Sequence, residues 1–501
     1  MLFTSSAFFY GYLPLVFVGY YLLGRHSPIW AASWLFVTSV AFYGYWMPEF
    51  VFLLLGSIAC NFWIGTNIGK LDPVSDNAEN RRKAKRWLIA GVTVNLTLLG
   101  YFKYAGFFLA NINALLGFDW SFGKIILPIG ISFFTFTQIA FLADAYLKGT
   151  KEYRFVHYGL FVTYFPHLIA GPVLHHAQMM PQFKETSTYR LNVANIAAGL
   201  FIFAIGLFKK IVLADGISPY ADAVFDASAA GQQPDTIEAW VGALAYTFQL
   251  YFDFSGYSDM AIGLSWMFNV RLPYNFDSPY KALNISEFWR RWHMTLSAFL
   301  RDYLYISLGG NRKGQFRRYV NLLFTMVLGG LWHGANWTFV FWGALHGIYL
   351  VINHAFQKIF GKRLGKVSGT ITFRLLSWLL TFISVVVAWI FFRANDFPSA
   401  LRVLSGLVSF ITNHDWPSAV HSILWNQGLD TGRGVCWLVV LAAIAFLAPN
   451  SNRIGEVALR RCRSHAGLVG VVLGAMLTCC IFLILINSTR DSVSAFIYFN
   501  F

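Results

Sequence analysis

The chain has 501 residues, 57% hydrophobic and 12% charged, with 50 Phe, 24 Tyr and 18 Trp and a mean hydropathy of +0.53. A soluble globular domain carries about 25% charged residues, so this composition excludes a soluble enzyme and a disordered chain and places the protein in a lipid bilayer. The formal net charge of +15 sits in short basic clusters between apolar runs, at Lys70 with Arg81 to Arg86, Lys148 to Arg154, Lys362 to Lys366 and Arg453 to Arg463. That pattern fits the positive-inside bias of cytoplasmic loops, with no nucleic-acid partner expected.

A hydrocarbon core takes about 20 apolar residues as a helix. In chain order the candidate runs are 7–23, 29–46, 50–68, 87–109, 125–146, 155–174, 196–213, 240–268, 320–331, 336–356, 373–392, 435–447 and 467–486. Some are short or interrupted, so about 11 to 13 membrane-embedded helices are expected, some of them re-entrant. The fold class is all-α, a polytopic membrane protein forming one body over 1–501. The first run lacks a basic leader and a small-residue cleavage site, and it reads as a retained span. The most polar stretch, 70–86, is strongly basic and is assigned to the cytoplasm, in agreement with Arg25 and His26 two spans earlier. The N-terminus then lies outside, and Arg453, Arg460, Arg461 and Arg463 lie inside. One more span carries the C-terminus back out. The five cysteines lie in apolar or basic surroundings and read as reduced, with no CxxC spacing for a metal. Residues 413–433 read as an outside loop. The region 273–318 is too polar to span lipid and too aromatic for a free loop, so it is expected to lie in the interface or dip into the protein body.

Four polar constellations interrupt the apolar runs. The first is Gly329-Gly330-Leu331-Trp332-His333-Gly334-Ala335-Asn336-Trp337. An imidazole between apolar runs is costly to bury, and ionisable groups at membrane depth are functional candidates by default. The glycines allow close backbone approach or a break, and Asn336 is placed to orient the ring. A histidine hydrogen-bonded between helices for structure alone fits the same pattern. The second is Glu287-Phe288-Trp289-Arg290-Arg291-Trp292-His293. Trp289 and His293 are expected to share a helix face, as are Glu287 and Arg290 or Arg291. An interfacial helix with aromatic anchors and snorkelling cations explains this composition better than chemistry does. The third, Tyr251 to Asp259, sets Asp253 and Asp259 inside an apolar run. Their spacing of six puts them on different helix faces, so polar glue or capping outweighs a two-carboxylate mechanism, and no G-x-S-x-G elbow is present. The fourth is Phe165-Pro166-His167 through Pro172, then His175 and His176. Proline and glycine mark a break there, and adjacent histidines make a poor metal site. His346 is a further buried candidate with structural and functional readings evenly matched.

At these residues the chain resembles the membrane-bound O-acyltransferase family, most of all its bacterial alginate-acetylating branch. The resemblance rests on ILPIGISFFTF (126–136), FPHLIAGPVL (165–174), LYFDFSGYSDMAIGL (250–264), EFWRRWHMTLSAFLRDYLYISLGGNR (287–312), LGGLWHGANWTFVFWGALHG (328–347) and FIYFNF (496–501). It implies a ring of helices around a thinned central funnel, with a central catalytic region at 273–347 and a C-terminal helical extension at 395–501. It implies that His333 is the family's membrane histidine and His293 the histidine of its R-W-H motif. It further implies acetyl-CoA as a donor reaching the site from the cytoplasm, no tightly bound cofactor, and periplasmic partner acetyltransferases that modify the polysaccharide. The expected mechanism makes His333 a general base or transient acyl carrier, with His293 orienting or relaying. From charge alone, Arg290, Arg291 and Arg301 are candidates to hold donor phosphates. Trp332, Asn336 and Asp253 are further candidates for substrate contact. Other acceptors on the same fold are peptidoglycan, cellulose, another exopolysaccharide, or teichoic acid receiving D-alanine. A transporter is the rival from a different class, since broken helices with buried polar groups suit it too, but no inverted repeat is evident.

Overall fold

Helices make up all the regular secondary structure among the described residues, which in this computed structural model are 1–169, 171–361, 365, 367–413, 422–489 and 496–497. In chain order the principal helices are α1 (Ala7–His26), α2 (Pro28–Gly44), α3 (Pro48–Leu71), α4 (Ala78–Leu116), α5 (Ile131–Lys148), α6 (Phe155–Thr163), α7 (His176–Lys184), α8 (Val193–Ala229) and α9 (Thr236–Met267). They continue with α10 (Ile285–Arg291), α11 (Met294–Phe299), α12 (Gly314–His333), α13 (Trp337–Phe360), α14 (Ile371–Arg393), α15 (Phe397–Asn413), α16 (Thr431–Leu447), α17 (Ser451–Ser464) and α18 (Ala466–Ser488).

Among the described residues, seven helices are long and apolar enough to cross a membrane: α1, α3, α4, α8, α13, α14 and the greater part of α18. A bent pair in the C-terminal part raises the number to eight if counted as one span. The chain is therefore an all-α, multi-pass membrane protein. Several of the expected runs take other forms. Run 155–174 is broken: α6 stops at Thr163, a four-residue helix covers Phe165–Leu168, and the chain then leaves helical geometry before His175. Pro166 suits this break: it has no N–H with which to continue the i−4 ladder of α6 and is tolerated in the first turn of a helix, where it stands in Phe165–Leu168, with Tyr164 at ψ 110° capping that helix. Run 125–146 becomes helical only at Ile131, after Pro128 and the left-handed Gly130. Of the sequence features above, 414–421 in the polar window, 362–364 and 366 in the basic cluster, Ala170, and the tail from 498 onward lie outside the described residues.

Contacts divide the chain into two units. Among the described residues, one comprises those of 1–207, 257–274 and 451–497; the other comprises those of 208–256 and 275–450. In the first unit α1 packs on α2, α3 on α4, and both α3 and α4 on α5. Small residues set these approaches, as expected where lipid supplies no hydrophobic drive between helices. Gly65 lies under the Phe141 ring and Gly91 under Leu142. Asn61 and Asn95 exchange side-chain amides between α3 and α4, at 2.6 and 3.3 Å.

In the second unit α12 and α13 form an antiparallel hairpin. A Cβ on Gly330 would strike the Phe339 carbonyl, and one on Gly343 would strike the Met326 carbonyl. The two backbones therefore meet at glycines, which fixes how the end of α12 sits against the start of α13.

Candidate active site

His333 is the last residue of α12, one turn past Gly330. Asn336 starts α13: its Oδ1 accepts from the Thr338 N–H at 3.1 Å, and its Nδ2 donates to the Asn395 carbonyl at 2.9 Å. Asn336 is thus a helix cap tied to a later loop. The cap is worth about 1 kcal/mol, and it fixes the turn in which His333 stands.

The His333 ring is 4% exposed. It meets Trp332 with centroids 4.9 Å apart, Trp342 at 5.1 Å and 87°, and Phe392 of α14 at 5.1 Å. Trp342 in turn touches His346 at 4.8 Å, one turn further along α13. His346 is fully buried, and its Nδ1 accepts the Trp289 indole N–H at 3.3 Å. That hydrogen bond places the ring proton on Nε2, and the ring is neutral.

His293 completes the group through Trp332, with centroids 6.3 Å apart. The expectation that Trp289 and His293 share one helix face does not hold. α10 ends at Arg291, and His293 adopts φ +43°, between α10 and α11. A left-handed non-glycine residue costs about 1–2 kcal/mol, and the surroundings hold it there. The His293 Nδ1 lies 3.1 Å from the Asn275 Oδ1, which also accepts from the Thr295 N–H and hydroxyl. The Met294 N–H donates to the Asn275 carbonyl, and the Phe254 ring stands edge-on to the imidazole at 4.8 Å. Burial lowers the His293 pKa to about 3, so this ring is neutral as well.

The second unit therefore brings His293, His333 and His346 together, interleaved with Trp332 and Trp342. The arginines behave differently. Arg291 is committed to Glu287, with Nε and Nη2 at 3.0 and 2.8 Å from Oε1, and to the Asp277 carbonyl. This is the expected i+4 pair. Arg301 pairs with its neighbour Asp302 at 2.6 Å on the surface. Arg290 is exposed, and among the described residues its guanidinium meets only the Ser286 carbonyl. Among the described residues none of the three contacts a histidine of the group.

Asp253 is 2% exposed at its side chain and lies 2.6 Å from the Lys210 Nζ, which is also 2.8 Å from Asp215. This makes it an internal counter-ion, the polar-glue role weighed from the sequence. The sequence held a signal for Lys210, a cation inside the apolar run 196–213, but nothing in it pointed to a partner 43 residues away. Asn275 and Trp342 gave no local signal either.

The model of the membrane-bound O-acyltransferase family matches residues 146–393, a range that includes all three histidines. A peptidoglycan O-acetyltransferase of Helicobacter pylori is 39% identical over 100% of this chain and 98% of its own length. A probable alginate O-acetylase of Pseudomonas aeruginosa is 43% identical over 88% of this chain and 81% of its own. One from Azotobacter vinelandii is 45% identical over 83% and 79%. A family match that spans the histidine group, with relatives aligned along most of the chain, fixes the assignment: this multi-pass membrane protein belongs to the membrane-bound O-acyltransferase family and is an acyltransferase.

Proposed function

We propose that this chain moves an acetyl group from a cytoplasmic donor, acetyl-CoA, across the bacterial inner membrane for O-acetylation of an extracytoplasmic polysaccharide. His333 is the base. The observation that carries this role is its enclosure by Trp332, Trp342 and Phe392. An apolar, water-poor cage keeps an imidazole neutral and protects a thioester from hydrolysis. The acceptor hydroxyl attacks the thioester carbonyl while the ring takes its proton. The tetrahedral intermediate then collapses with cleavage of the C–S bond, and the departing thiolate recovers the proton. No net proton is gained or lost. Of the three arginines, Arg290 is the one without a carboxylate partner among the described residues, and it is the candidate for a donor phosphate. Since the chain is built of membrane helices, delivery to a polymer falls to periplasmic partner proteins, with both termini on that side.

Alginate is the acceptor named for several relatives. Peptidoglycan is a second reading, favoured by the end-to-end alignment with the peptidoglycan O-acetyltransferase. The test is a deletion strain complemented with the wild type or with His333→Gln. Ester acetate is then measured by mass spectrometry on purified muropeptides and on secreted polysaccharide. Loss of acetate from one polymer, not restored by His333→Gln, supports the assignment and names the acceptor. Full restoration by His333→Gln overturns it.

A further inference from the structure

In the first unit, far in sequence from the histidines, a surface depression of about 400 Å³ opens between the end of α1 and the turn at Thr186–Tyr189. Its rim carries Arg25, His26 and Arg190, its wall Tyr21 and Tyr189, and among the described residues no carboxylate lines it. Pockets for small ligands run from about 300 to 1,000 Å³, so the space suits a headgroup-sized molecule.

The segments that form it are tied down by hydrogen bonds. The Tyr20 hydroxyl donates to the Thr188 carbonyl at 3.1 Å, and the Tyr21 hydroxyl to the Met267 carbonyl at 2.6 Å. The Asn269 Nδ2 donates to the carbonyls of Thr188 and Arg190 at 3.1 and 2.6 Å. A Cβ on Gly24 would lie 2.6 Å from the Tyr189 carbonyl, so glycine there is what lets α1 seat against the turn. The cations are the opposite case. Among the described residues the side chains of Arg25, His26 and Arg190 make no hydrogen bond or ion pair. A line of contacts joins this rim to the basic helix α17: Arg463 to Asn195 at 3.1 Å, Asn195 to Asn269 at 2.9 Å, and Asn269 to the Arg190 carbonyl. Positive-inside bias alone accounts for basic residues on this face. It does not account for two guanidiniums and an imidazole from separate segments converging on one walled depression with no counter-charge.

We propose that this depression binds a phosphate-bearing anion. Two arginines supply forked N–H donors that match phosphate oxygens, and the tyrosine wall packs the attached organic group. A phospholipid headgroup and a soluble phosphate share this chemistry, and the experiment separates them. The full chain in a neutral detergent is titrated by calorimetry with short-chain phosphatidylglycerol and, separately, with inorganic pyrophosphate. Saturable binding of one or both is expected. The Arg25→Gln/Arg190→Gln variant should weaken it by roughly tenfold or more, and Arg25→Lys/Arg190→Lys, which keeps both charges, by less. Lys83→Gln, at an exposed pair with Glu79, should leave it unchanged. Binding of the lipid alone identifies a headgroup site; binding of pyrophosphate as well identifies a general phosphate site. If neither probe binds saturably, or Lys83→Gln weakens binding as much as the double variant, the proposal is overturned. Thermal unfolding verifies that each variant is folded.

Discussion

The Trp289 indole N–H points at the His346 Nδ1 from 3.3 Å away, joining α10 to α13 by one buried hydrogen bond. Trp289→Phe keeps an aromatic ring but removes the donor together with the five-membered half of the indole. It should lower stability by at least about 1–3 kcal/mol, the effect of leaving a buried acceptor unsatisfied, to which the smaller ring adds a cavity. Because His346 abuts Trp342, and Trp342 abuts His333, acyl transfer should fall several-fold while the thermal midpoint in detergent drops by a few degrees. An unchanged midpoint would show that this bond contributes nothing to the native state.

His333→Ala is expected to leave a folded protein that has lost transfer by roughly 10²- to 10⁴-fold, the usual contribution of a general base. The readout is acetyl transfer from radiolabelled acetyl-CoA in membranes, normalised to folded protein. His346→Gln should lose less, because that ring reaches His333 only through Trp342.

Gly330→Val and Gly343→Val each place a branched side chain where even a Cβ collides with a carbonyl of the facing helix. Overpacking of this kind typically costs about 1–3 kcal/mol, and here the obstacle is backbone that cannot rotate away. Both variants should unfold earlier on heating and lose activity. Gly314→Ala, with open space around its Cβ but φ +80°, should show only the modest loss of a strained turn.

His293 gives stability a pH dependence with a defined sign. Burial lowers its pKa from 6.5 to about 3, so near neutral pH the ring is uncharged in both native and unfolded chains. Below pH 6.5 the unfolded chain takes up a proton that the native chain refuses. Stability is therefore complete above pH 6.5 and declines as pH falls from 6.5 toward 3. Chemical denaturation at several pH values should reveal this slope, and His293→Phe should flatten it. Asn275→Asp, which sets a carboxylate 3.1 Å from the His293 Nδ1, should move the decline to lower stability overall but weaken its slope, by making the charged ring tolerable.

Lys210→Met leaves Asp253 and Asp215 buried without their shared cation. Breaking a buried pair by removing one partner costs about 3–5 kcal/mol. Asp253→Asn should cost less, since Asp215 still neutralises Lys210. The comparison of thermal midpoints tests this order.

Composition and run length made the membrane class legible, and the glycine-flanked His333 was legible because its neighbours are local in sequence. Legibility ended wherever an assignment needed the path of the backbone. The helical spacing of Trp289 and His293 predicts one shared face, yet the helix stops two residues short and His293 turns left-handed. Asn275, which holds that turn, lies in a segment without regular secondary structure and with no periodicity to mark it. Trp342 and His346 reach His333 only because Gly330 and Gly343 let two helices close on each other. The arginines were legible in part: helical spacing foretells the Glu287–Arg291 pair, but the pairing of Arg301 with Asp302 depends on side-chain conformation that spacing does not fix.

Trp342 has one more consequence. An indole nitrogen only donates; it has no lone pair with which to accept. Wedged between the imidazoles of His333 and His346, it acts as an insulator in the electrical sense. Protonic charge that settles on residue 333 has no conductor toward residue 346 through that contact, so the two rings cannot share a load. Through this contact residue 346 can influence residue 333 only as a matter of fit, by where it holds the indole.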